Sequence, residues 1–541
     1  MSSPERWDAV VVGAGLAGLY ALHKFRKLGL STVVIEAGDG IGGTWHWNRY
    51  PGARCDVESV DYSYSFSEEL QQEWTWSERY ATQPEILRYI NHVADRFDLG
   101  RDVRLNCKVV AAHYDDEAQL WRIHLDDGRT LIARYCIMAS GALSAPHLPD
   151  IPGIDDFEGE VLHSSRWREE CEFTGRRVAV IGTGSSGVQL IPELAGRADQ
   201  LFVFQRTANF CMPARNQRLT DTALDTIKAH YSQRRREARD SYLGVPMPVP
   251  KRSALEVSDE ERRQAFEAGW QEGGANCIVQ QFYDILLDER ANEYAAEFVR
   301  DKIREVVHDP KIAERLLPRG YPIGSKRVCV ESGYYTAFNR DNVALIDLSE
   351  TPIETFTRTG LRTTTTLYEF DTLVLATGFD AMTGALQEID IVGRNGLSLR
   401  SAWANGPRTY LGIGIAGFPN LFCIGGPQSP SVTSNMTLSI EQHVDWITGY
   451  VAWLDERTVT AAEPSGAAQD AWVDHVEQVA ERVPLRVRSD SWYLGANIPG
   501  KPRVFMPYIG GVAAYRAKCD DVAANDYEGF ELSTASLASE S

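Results

Sequence analysis

Two glycine-rich turns in the sequence have the spacing of nucleotide-binding loops. The first, VVVGAGLAGLYAL, places Gly13, Gly15 and Gly18 in GxGxxG order directly after an apolar run. The first glycine permits a tight turn, the second lets a pyrophosphate approach the backbone, and the third lets the helix pack closely on its strand. The next apolar run ends in Glu36, where a carboxylate can accept hydrogen bonds from ribose hydroxyls. Together these features predict a dinucleotide site.

The second turn, RVAVIGTGSSGVQL, places Gly182, Gly184 and Gly187 in the same order. Here the following apolar run ends in Arg206 and Thr207 instead of an acid. An arginine at this tip suits a 2′-phosphate, so we expect NADPH at the second turn and FAD at the acidic first one. The alternative is that Arg206 lies on a solvated loop.

Composition and net charge indicate which kinds of binding partner and site are unfavourable for this chain. The chain has 541 residues, enough for two or three domains, and its net charge of −20 argues against nucleic acid and anionic membranes as partners. Its nine cysteines are scattered and contain no CxxC pair, which is typical of reduced, cytoplasmic thiols without a disulfide framework, metal site or redox dithiol. No apolar run approaches the ~18 residues of a membrane span.

The elements around the two turns predict an α/β fold with two Rossmann-type dinucleotide-binding domains. The runs RYCIMASG (134–141) and YEFDTLVLATGF (368–379) are expected to be strands that leave or enter these domains through small-residue turns. Between 213 and 318 the apolar residues recur every three or four positions, as in ANEYAAEFVRDKIREVV, which indicates a helical insertion.

We expect each domain to be built from two separate parts of the chain. The predicted boundaries are 1–142 and 379–541 for the FAD domain, 150–212 and 319–378 for the NADPH domain, 213–318 for the helical insertion, and 487–505 for a loop that covers NADP.

A spaced motif lies between the two turns, in FEGEVLHSSRWRE. It consists of Phe157, Gly159, His163 and Trp167, and it is followed by Arg168. In this setting the motif resembles the fingerprint of the type I Baeyer–Villiger monooxygenases, in which Pro or Asp follows the tryptophan. The resemblance extends over nearly the whole chain, including GGTWHWNRYPGARCDVES (42–59) and SWYLGANIPGKPRVFMPYIGG (491–511), and is greatest to the phenylacetone and steroid monooxygenase group.

The resemblance implies a flavoprotein that inserts one oxygen atom of O2 beside a ketone carbonyl to give an ester or lactone. NADPH would reduce FAD, a C4a-peroxyflavin would attack the ketone, and a fixed cation would stabilise the resulting oxyanion. Arg327 matches the family's active-site arginine, and Asp56 matches the carboxylate paired with it. His163 would couple the orientation of the two domains to nucleotide occupancy and need not touch substrate. The loop GPQSPSVTSNM (426–436) predicts tolerance of aryl or bulky ketones.

The resemblance also implies further contacts with the cofactors. For FAD they come from Thr44, Trp45, Trp47, Asp56, Tyr62, Val109 and Met436. For NADP they come from Arg54, Thr183, Ser185, Ser186, Arg206, Thr207, Lys326, Arg327 and Trp492, with Lys326 at the 2′-phosphate and Trp492 in the covering loop.

Other functions remain open at this point. The nearest alternative is a flavin monooxygenase that oxygenates nitrogen or sulfur. A flavin-binding redox sensor without catalysis is a third hypothesis. A disulfide reductase would need the CxxC pair that the chain lacks.

Overall fold

The computed structural model describes residues 4–168 and 171–534. Its strands are β1 (Glu5–Val12), β2 (Thr32–Ile35), β3 (Val103–Arg104), β4 (Val109–Asp115), β5 (Leu120–Leu125), β6 (Thr130–Met138), β7 (Glu160–His163), β8 (Arg177–Ile181), β9 (Gln200–Gln205), β10 (Cys211–Pro213), β11 (Cys329–Glu331), β12 (Val343–Asp347), β13 (Ile353–Thr357), β14 (Gly360–Thr363), β15 (Leu367–Glu369), β16 (Thr372–Leu375), β17 (Asp390–Val392), β18 (Leu421–Cys423), β19 (Val459–Pro464) and β20 (Phe530–Thr534).

The α-helices of the described residues follow the apolar periodicity of the sequence. They are α1 (Leu16–Lys27), α2 (Thr44–Trp47), α3 (Glu68–Glu73), α4 (Gln83–Arg96), α5 (Ser185–Ala195), α6 (Asp221–Ala229), α7 (Tyr231–Arg239), α8 (Asp259–Glu272), α9 (Glu289–Val306), α10 (Pro310–Leu316), α11 (Tyr334–Ala337), α12 (Gly384–Glu388), α13 (Leu399–Ala402), α14 (Met436–Glu456), α15 (Gly466–Glu481) and α16 (Val512–Ala524). None of the helices among these residues is long and apolar enough to cross a membrane.

The first sheet has the strand order β17-β4-β5-β6-β1-β2-β3, and β18 also pairs with β6. Strands β1, β2, β3, β6 and β18 run parallel, while β4 and β5 form an antiparallel meander on β6. The apolar end of β1 is fully covered because α1 and α14 pack on one face of the sheet. This arrangement places the carboxyl end of β1, and with it the first glycine turn, at the edge where ligands bind in open parallel sheets.

The second sheet is entirely parallel, with the order β12-β9-β8-β16-β7. Its continuous apolar strands are buried between α5 and a small antiparallel sheet, β13-β14-β15, as parallel strands require. The parallel strands of the two sheets confirm the predicted fold class.

Helices α6 to α10 occupy the region predicted to be helical. The insertion was predicted to start at 213, but residues 211–213 form β10, which pairs with β11. The first helix of the region begins at Asp221. Aromatic side chains of α8 and α9, among them Phe266, Trp270 and Phe298, share a core with the second sheet. Helices α8 and α9 are therefore anchored to the second sheet, whereas α7 contacts the first one: Tyr231 packs in its core, and Arg234 pairs with Glu58 and Asp61.

One expected strand is two strands in the structure. The run 368–379 breaks at Phe370 and Asp371, so that β15 joins the small antiparallel sheet and β16 joins the second sheet. The Asp371 carboxylate accepts hydrogen bonds from the backbone and the guanidinium of Arg177 at 2.8 and 3.1 Å. This anchor fixes the point at which the chain leaves one sheet for the other.

Packing at the third glycine of the second turn should be intolerant of a methyl group. A Cβ on Gly187 would lie 2.2 Å from the carbonyl oxygen of Gly182, whereas a Cβ on Gly184 would meet nothing within 4 Å. We expect Gly187→Ala to lower the free energy of unfolding by at least ~1–3 kcal/mol, because the backbone must move to relieve the overlap. Thermal unfolding without nucleotide measures this, with Gly184→Ala as the matched control. Equal stability of the two variants would contradict the packing argument.

Candidate active site

A cavity of about 1190 Å³ lies between the two sheets. It is lined by every residue that the sequence singled out for cofactor binding or catalysis except Gly18 and Gly187, the two glycines predicted to serve helix packing. The four residues of the spaced motif lie outside it. The fold therefore brings the chemical groups together and keeps the motif apart from them.

The first glycine turn has the geometry that a pyrophosphate needs. Gly13 has a φ of +103°, and a Cβ on Gly18 would lie 1.8 Å from the Gly13 carbonyl oxygen. The buried carboxylate of Glu36 accepts hydrogen bonds from the backbone N–H groups of Ala14 and Gly38, each at 2.8 Å. These bonds hold the Glu36 carboxylate at the tip of β2, where its oxygens can accept hydrogen bonds from the hydroxyls of an adenosine ribose.

The second turn repeats this backbone with a different charge. Gly182 has a φ of +111°, and the Thr183 hydroxyl donates to the carbonyl of Thr207 at 3.1 Å. The pKa of Lys326 is lowered by burial and by the nearby charge of Arg206. Two cations that repel each other are stabilised by a bound anion, so the donor set fits a phosphate.

An ion pair crosses the cavity between the two turns. The guanidinium of Arg327 donates to both carboxylate oxygens of Asp56, with Nη2 at 2.7 and 2.6 Å and Nε at 3.1 Å from Oδ2. Nη1 donates to the Val432 carbonyl at 3.1 Å. The charge of Asp56 raises the pKa of Arg327 above its ordinary value. The arginine therefore remains a cation while it borders the cavity.

Asp56 belongs to a segment that is also bonded to the second turn. The Tyr50 hydroxyl donates to the Gln189 side chain at 2.8 Å, and the Gln189 amide donates to the Arg54 carbonyl at 3.0 Å. The Arg54 guanidinium donates to Glu78 at 3.2 Å. Sequence reasoning missed Tyr50, Gln189 and Glu78, since no motif contains them and their separation along the chain gives no signal.

The spaced motif forms the edge of the second sheet. Phe157 packs against Phe370 with ring centroids 5.1 Å apart, and a Cβ on Gly159 would lie 2.3 Å from the Phe157 ring. Trp167 packs on Phe173 at 5.9 Å. The motif is thus part of the packing between β7 and the core beside it.

His163 contacts the segment that leaves β16. Its Nδ1 lies 2.8 Å from the Ser165 hydroxyl, and its Nε2 lies 3.5 Å from the hydroxyl of Thr377. Burial lowers the pKa of His163 to about 4, so the ring is neutral near pH 7. Phe379 packs on the ring at 6.4 Å. His163 therefore lies directly behind the cavity wall: Ser165, Thr377 and Phe379 line the cavity, although His163 itself does not.

The segment 490–505 closes one side of the cavity through Trp492. This segment is held against residues 379–381, which follow β16. The Lys501 ammonium pairs with Asp380 and donates to the Ala381 carbonyl at 2.8 Å. The Asn497 amide donates to the Phe379 carbonyl at 2.8 Å. Only 8% of the Lys501 side chain is exposed. Sequence reasoning predicted a loop here but missed Lys501 and Asp380, which lie far apart in the chain.

Among residues 4–168 and 171–534, no group of three or more His, Cys, Asp or Glu side chains is placed to hold a metal ion.

Comparison with known proteins agrees with this geometry. Residues 10–243 match the family model described as pyridine nucleotide-disulphide oxidoreductase. The chain is 41% identical to a Baeyer–Villiger monooxygenase of Pseudooceanicola batsensis over 96% of this chain and 95% of that protein. It is 39% identical to a phenazine N-monooxygenase of Lysobacter antibioticus over 97% of each.

A solved structure gives the same result for the fold. It is described as an oxidized steroid monooxygenase bound to NADP, and it superimposes with a TM-score of 0.93 at 51% identity over 98% of this chain and 99% of that one.

The Lys501 contact predicts how the segment is held down. We expect Lys501→Met to raise amide hydrogen exchange in residues 491–502 about tenfold or more, because it leaves the Asp380 carboxylate without its partner. The matched control is Arg503→Met, whose pair with Asp490 is 62% and 74% exposed and should contribute little. Unchanged exchange in Lys501→Met would show that the segment is held by its apolar contacts alone.

Proposed function

Because the chain belongs to the type I Baeyer–Villiger monooxygenase family, we propose that it inserts one oxygen atom of O2 beside the carbonyl of a ketone. Its cofactors are FAD and NADP(H). We assign FAD to the first glycine turn and NADPH to the second, and we keep the domain boundaries predicted from the sequence. The thiol content and acidity further favour a reducing, cytoplasmic setting.

The observation that carries the proposal is the Arg327–Asp56 ion pair between the two turns. FAD, when bound, supplies the activation of dioxygen. Attack on a carbonyl places negative charge on its oxygen, and a fixed cation stabilises that charge without giving up a proton. Arg327 would supply this cation, and Asp56 together with the Val432 carbonyl would hold the guanidinium plane beside the ketone oxygen.

Preference for NADPH over NADH is assigned to the cations at the end of β9. Arg206 and Lys326 would pair with the 2′-phosphate, and Thr207 would add a hydroxyl donor. Support comes from the pKa of Lys326, which is lowered by burial and by the repulsion between the two cations. A bound dianion would relieve this repulsion, and NADH carries no such group.

We propose aryl or bulky ketones as substrates. Beside Arg327 the cavity is bordered by Leu143, Val432 and Trp492, which pack in one apolar cluster with Tyr493 and Met506. Such a wall favours a large apolar substituent and gives it few polar partners. The likeness to the steroid monooxygenase supports a roomy site.

A second candidate function is oxygenation of a heteroaromatic nitrogen. The observation that favours it is the 39% identity to a phenazine N-monooxygenase over nearly the whole of both chains. Product analysis with isotopically heavy dioxygen separates the two functions. A ketone would give an ester that carries one heavy oxygen atom, whereas a phenazine would give an N-oxide.

Removal of the cation tests the proposed role of Arg327. We expect Arg327→Ala to lower ester formation by at least about 100-fold, since loss of one oxyanion donor costs ~10²–10³ in rate. Flavin content should persist, because the glycine turn assigned to FAD is untouched. Mass spectrometry of the ester and the flavin absorbance measure the two effects. Near-normal ester formation would remove Arg327 from the mechanism.

Arg206→Ala tests the phosphate site. We expect the Michaelis constant for NADPH to rise ~10- to 100-fold, as loss of a charge-assisted contact of about 1.5–3 kcal/mol implies, with little change for NADH. The control is Arg197→Ala, which removes an exposed i,i+4 pair with Glu193 on the same domain. Equal effects of Arg206→Ala on both coenzymes would place the 2′-phosphate elsewhere.

A further inference from the structure

Two cysteines face each other across the short parallel pair β10-β11. Cys211 and Cys329 are Cα partners in that pairing, although 117 residues separate them in sequence. Paired residues of neighbouring strands point to the same side and lie about 4.8 Å apart. This spacing is within the Cα separation of about 4.4–6.8 Å that a disulfide requires.

The two thiols have different surroundings. Both are reduced and buried. The Cys211 thiol donates to the Asn209 carbonyl at 3.5 Å, and the Cys329 sulfur lies 3.6 Å from the hydroxyl of Ser185. Cys329 and Ser185 line the large cavity, whereas Cys211 does not. An oxidant in the cavity would therefore meet Cys329 first, with Cys211 directly behind it.

The surroundings also shift the pKa values of the two thiols in opposite directions. The neighbouring Cys211 thiol lowers the pKa of Cys329, and Ser185 and the charge of Arg327 act in the same direction. Burial raises the pKa of Cys211. A thiolate is the form that peroxides oxidise, and a neighbouring thiol resolves the product.

We propose that Cys211 and Cys329 are a redox pair that forms a reversible disulfide when hydrogen peroxide enters the cavity. The Cys329 sulfur attacks one peroxide oxygen, the O–O bond breaks, and a sulfenic acid and one water result. The Cys211 sulfur then attacks the sulfenic sulfur, and a second water leaves as the S–S bond forms. The two thiols lose two electrons and two protons, and hydrogen peroxide is reduced to two waters.

The disulfide would act on the second nucleotide turn. The Cys329 sulfur would turn from Ser185, which begins α5, and β11 would be fixed to β10 just after Arg327. We expect weaker NADPH binding in the oxidised enzyme. A transient disulfide of this kind is compatible with a reducing compartment, where disulfides are mostly redox-sensing. Thiol oxidation itself requires neither a ketone nor NADPH, so it does not depend on the proposed function.

A second pair of buried cysteines provides the matched control. Cys136 and Cys423 lie on the adjacent parallel strands β6 and β18, but they are out of register: Cys136 faces Leu421, and Cys423 faces Met138. Neither lines the cavity. Burial raises the pKa of both thiols. Burial and strand proximity are thus shared by the two pairs, while register and access to the cavity are not.

The first experiment measures the bond. The FAD-loaded enzyme is treated with a small excess of hydrogen peroxide, without NADPH or ketone, then alkylated and digested for peptide mass spectrometry. We expect a linked peptide that contains Cys211 and Cys329 and weighs two hydrogen atoms less than its parts. Cys211→Ser should abolish it, with Cys211→Ala as the second variant, and Cys136→Ser should leave it intact. Alkylation of both thiols after peroxide treatment, or a linked Cys136–Cys423 peptide instead, would overturn the proposal.

The second experiment measures the consequence. Peroxide treatment should raise the NADPH concentration needed for half-maximal flavin reduction at least threefold, and dithiothreitol should restore it. Cys211→Ser should retain its NADPH dependence through the same treatment. If the disulfide forms and NADPH binding is unchanged, the regulatory part is wrong. If esters never form while the disulfide does, the proposed function fails and the redox pair stands.

Discussion

The arrangement of the cavity depends on keeping one guanidinium charged between two sheets. Arg327 is partly withdrawn from water, and a charge in that position is costly unless a partner compensates it. Asp56 compensates it with three short contacts, and the two residues come from different nucleotide-binding halves of the fold. The distance between the halves is therefore constrained at the point where we propose that the chemistry occurs.

Several other contacts support the same constraint from the side of the second turn. Gln189 on α5 bonds to Tyr50 and to the Arg54 carbonyl, so the segment that carries Asp56 rests on the helix that would hold the NADPH pyrophosphate. Lys501 and Asn497 hold the segment with Trp492 on residues 379–381. His163 contacts that same connection at Thr377 and Phe379. A shift of residues 377–381 would therefore also move the cavity wall. This geometry supports a coupling role for His163 over direct contact with substrate.

The sequence predicted the parts of the site that depend on local backbone. The glycine turns, Glu36 and Arg206 follow from the spacing of strand, turn and helix, because a turn of positive φ and a close helix contact need glycine at fixed positions. The roles of Arg327 and Asp56 came only from resemblance, since an arginine beside a lysine has no local signature. Tyr50, Gln189, Lys501 and Asp380 were not predictable, because their contacts exist only after the two halves of the chain have packed together. The run 368–379 was predicted as one strand because two short strands joined through Asp371 have the same apolar pattern as one long strand.

The choice between a ketone and a heteroaromatic nitrogen cannot rest on the flavin or on the nucleotide turns, because both reactions use them. Attack of a peroxide anion on a carbonyl creates an oxyanion with a net negative charge, whereas oxygen transfer to a nitrogen lone pair gives an N-oxide whose negative oxygen is balanced by the positive nitrogen. A permanent cation at the cavity wall therefore accelerates the first reaction more than the second. Since Asp56 raises the pKa of Arg327 above its ordinary value, this cation is present at neutral pH. Its bias toward carbonyl chemistry is then fixed, and substrate size is left to the apolar wall around Leu143 and Val432.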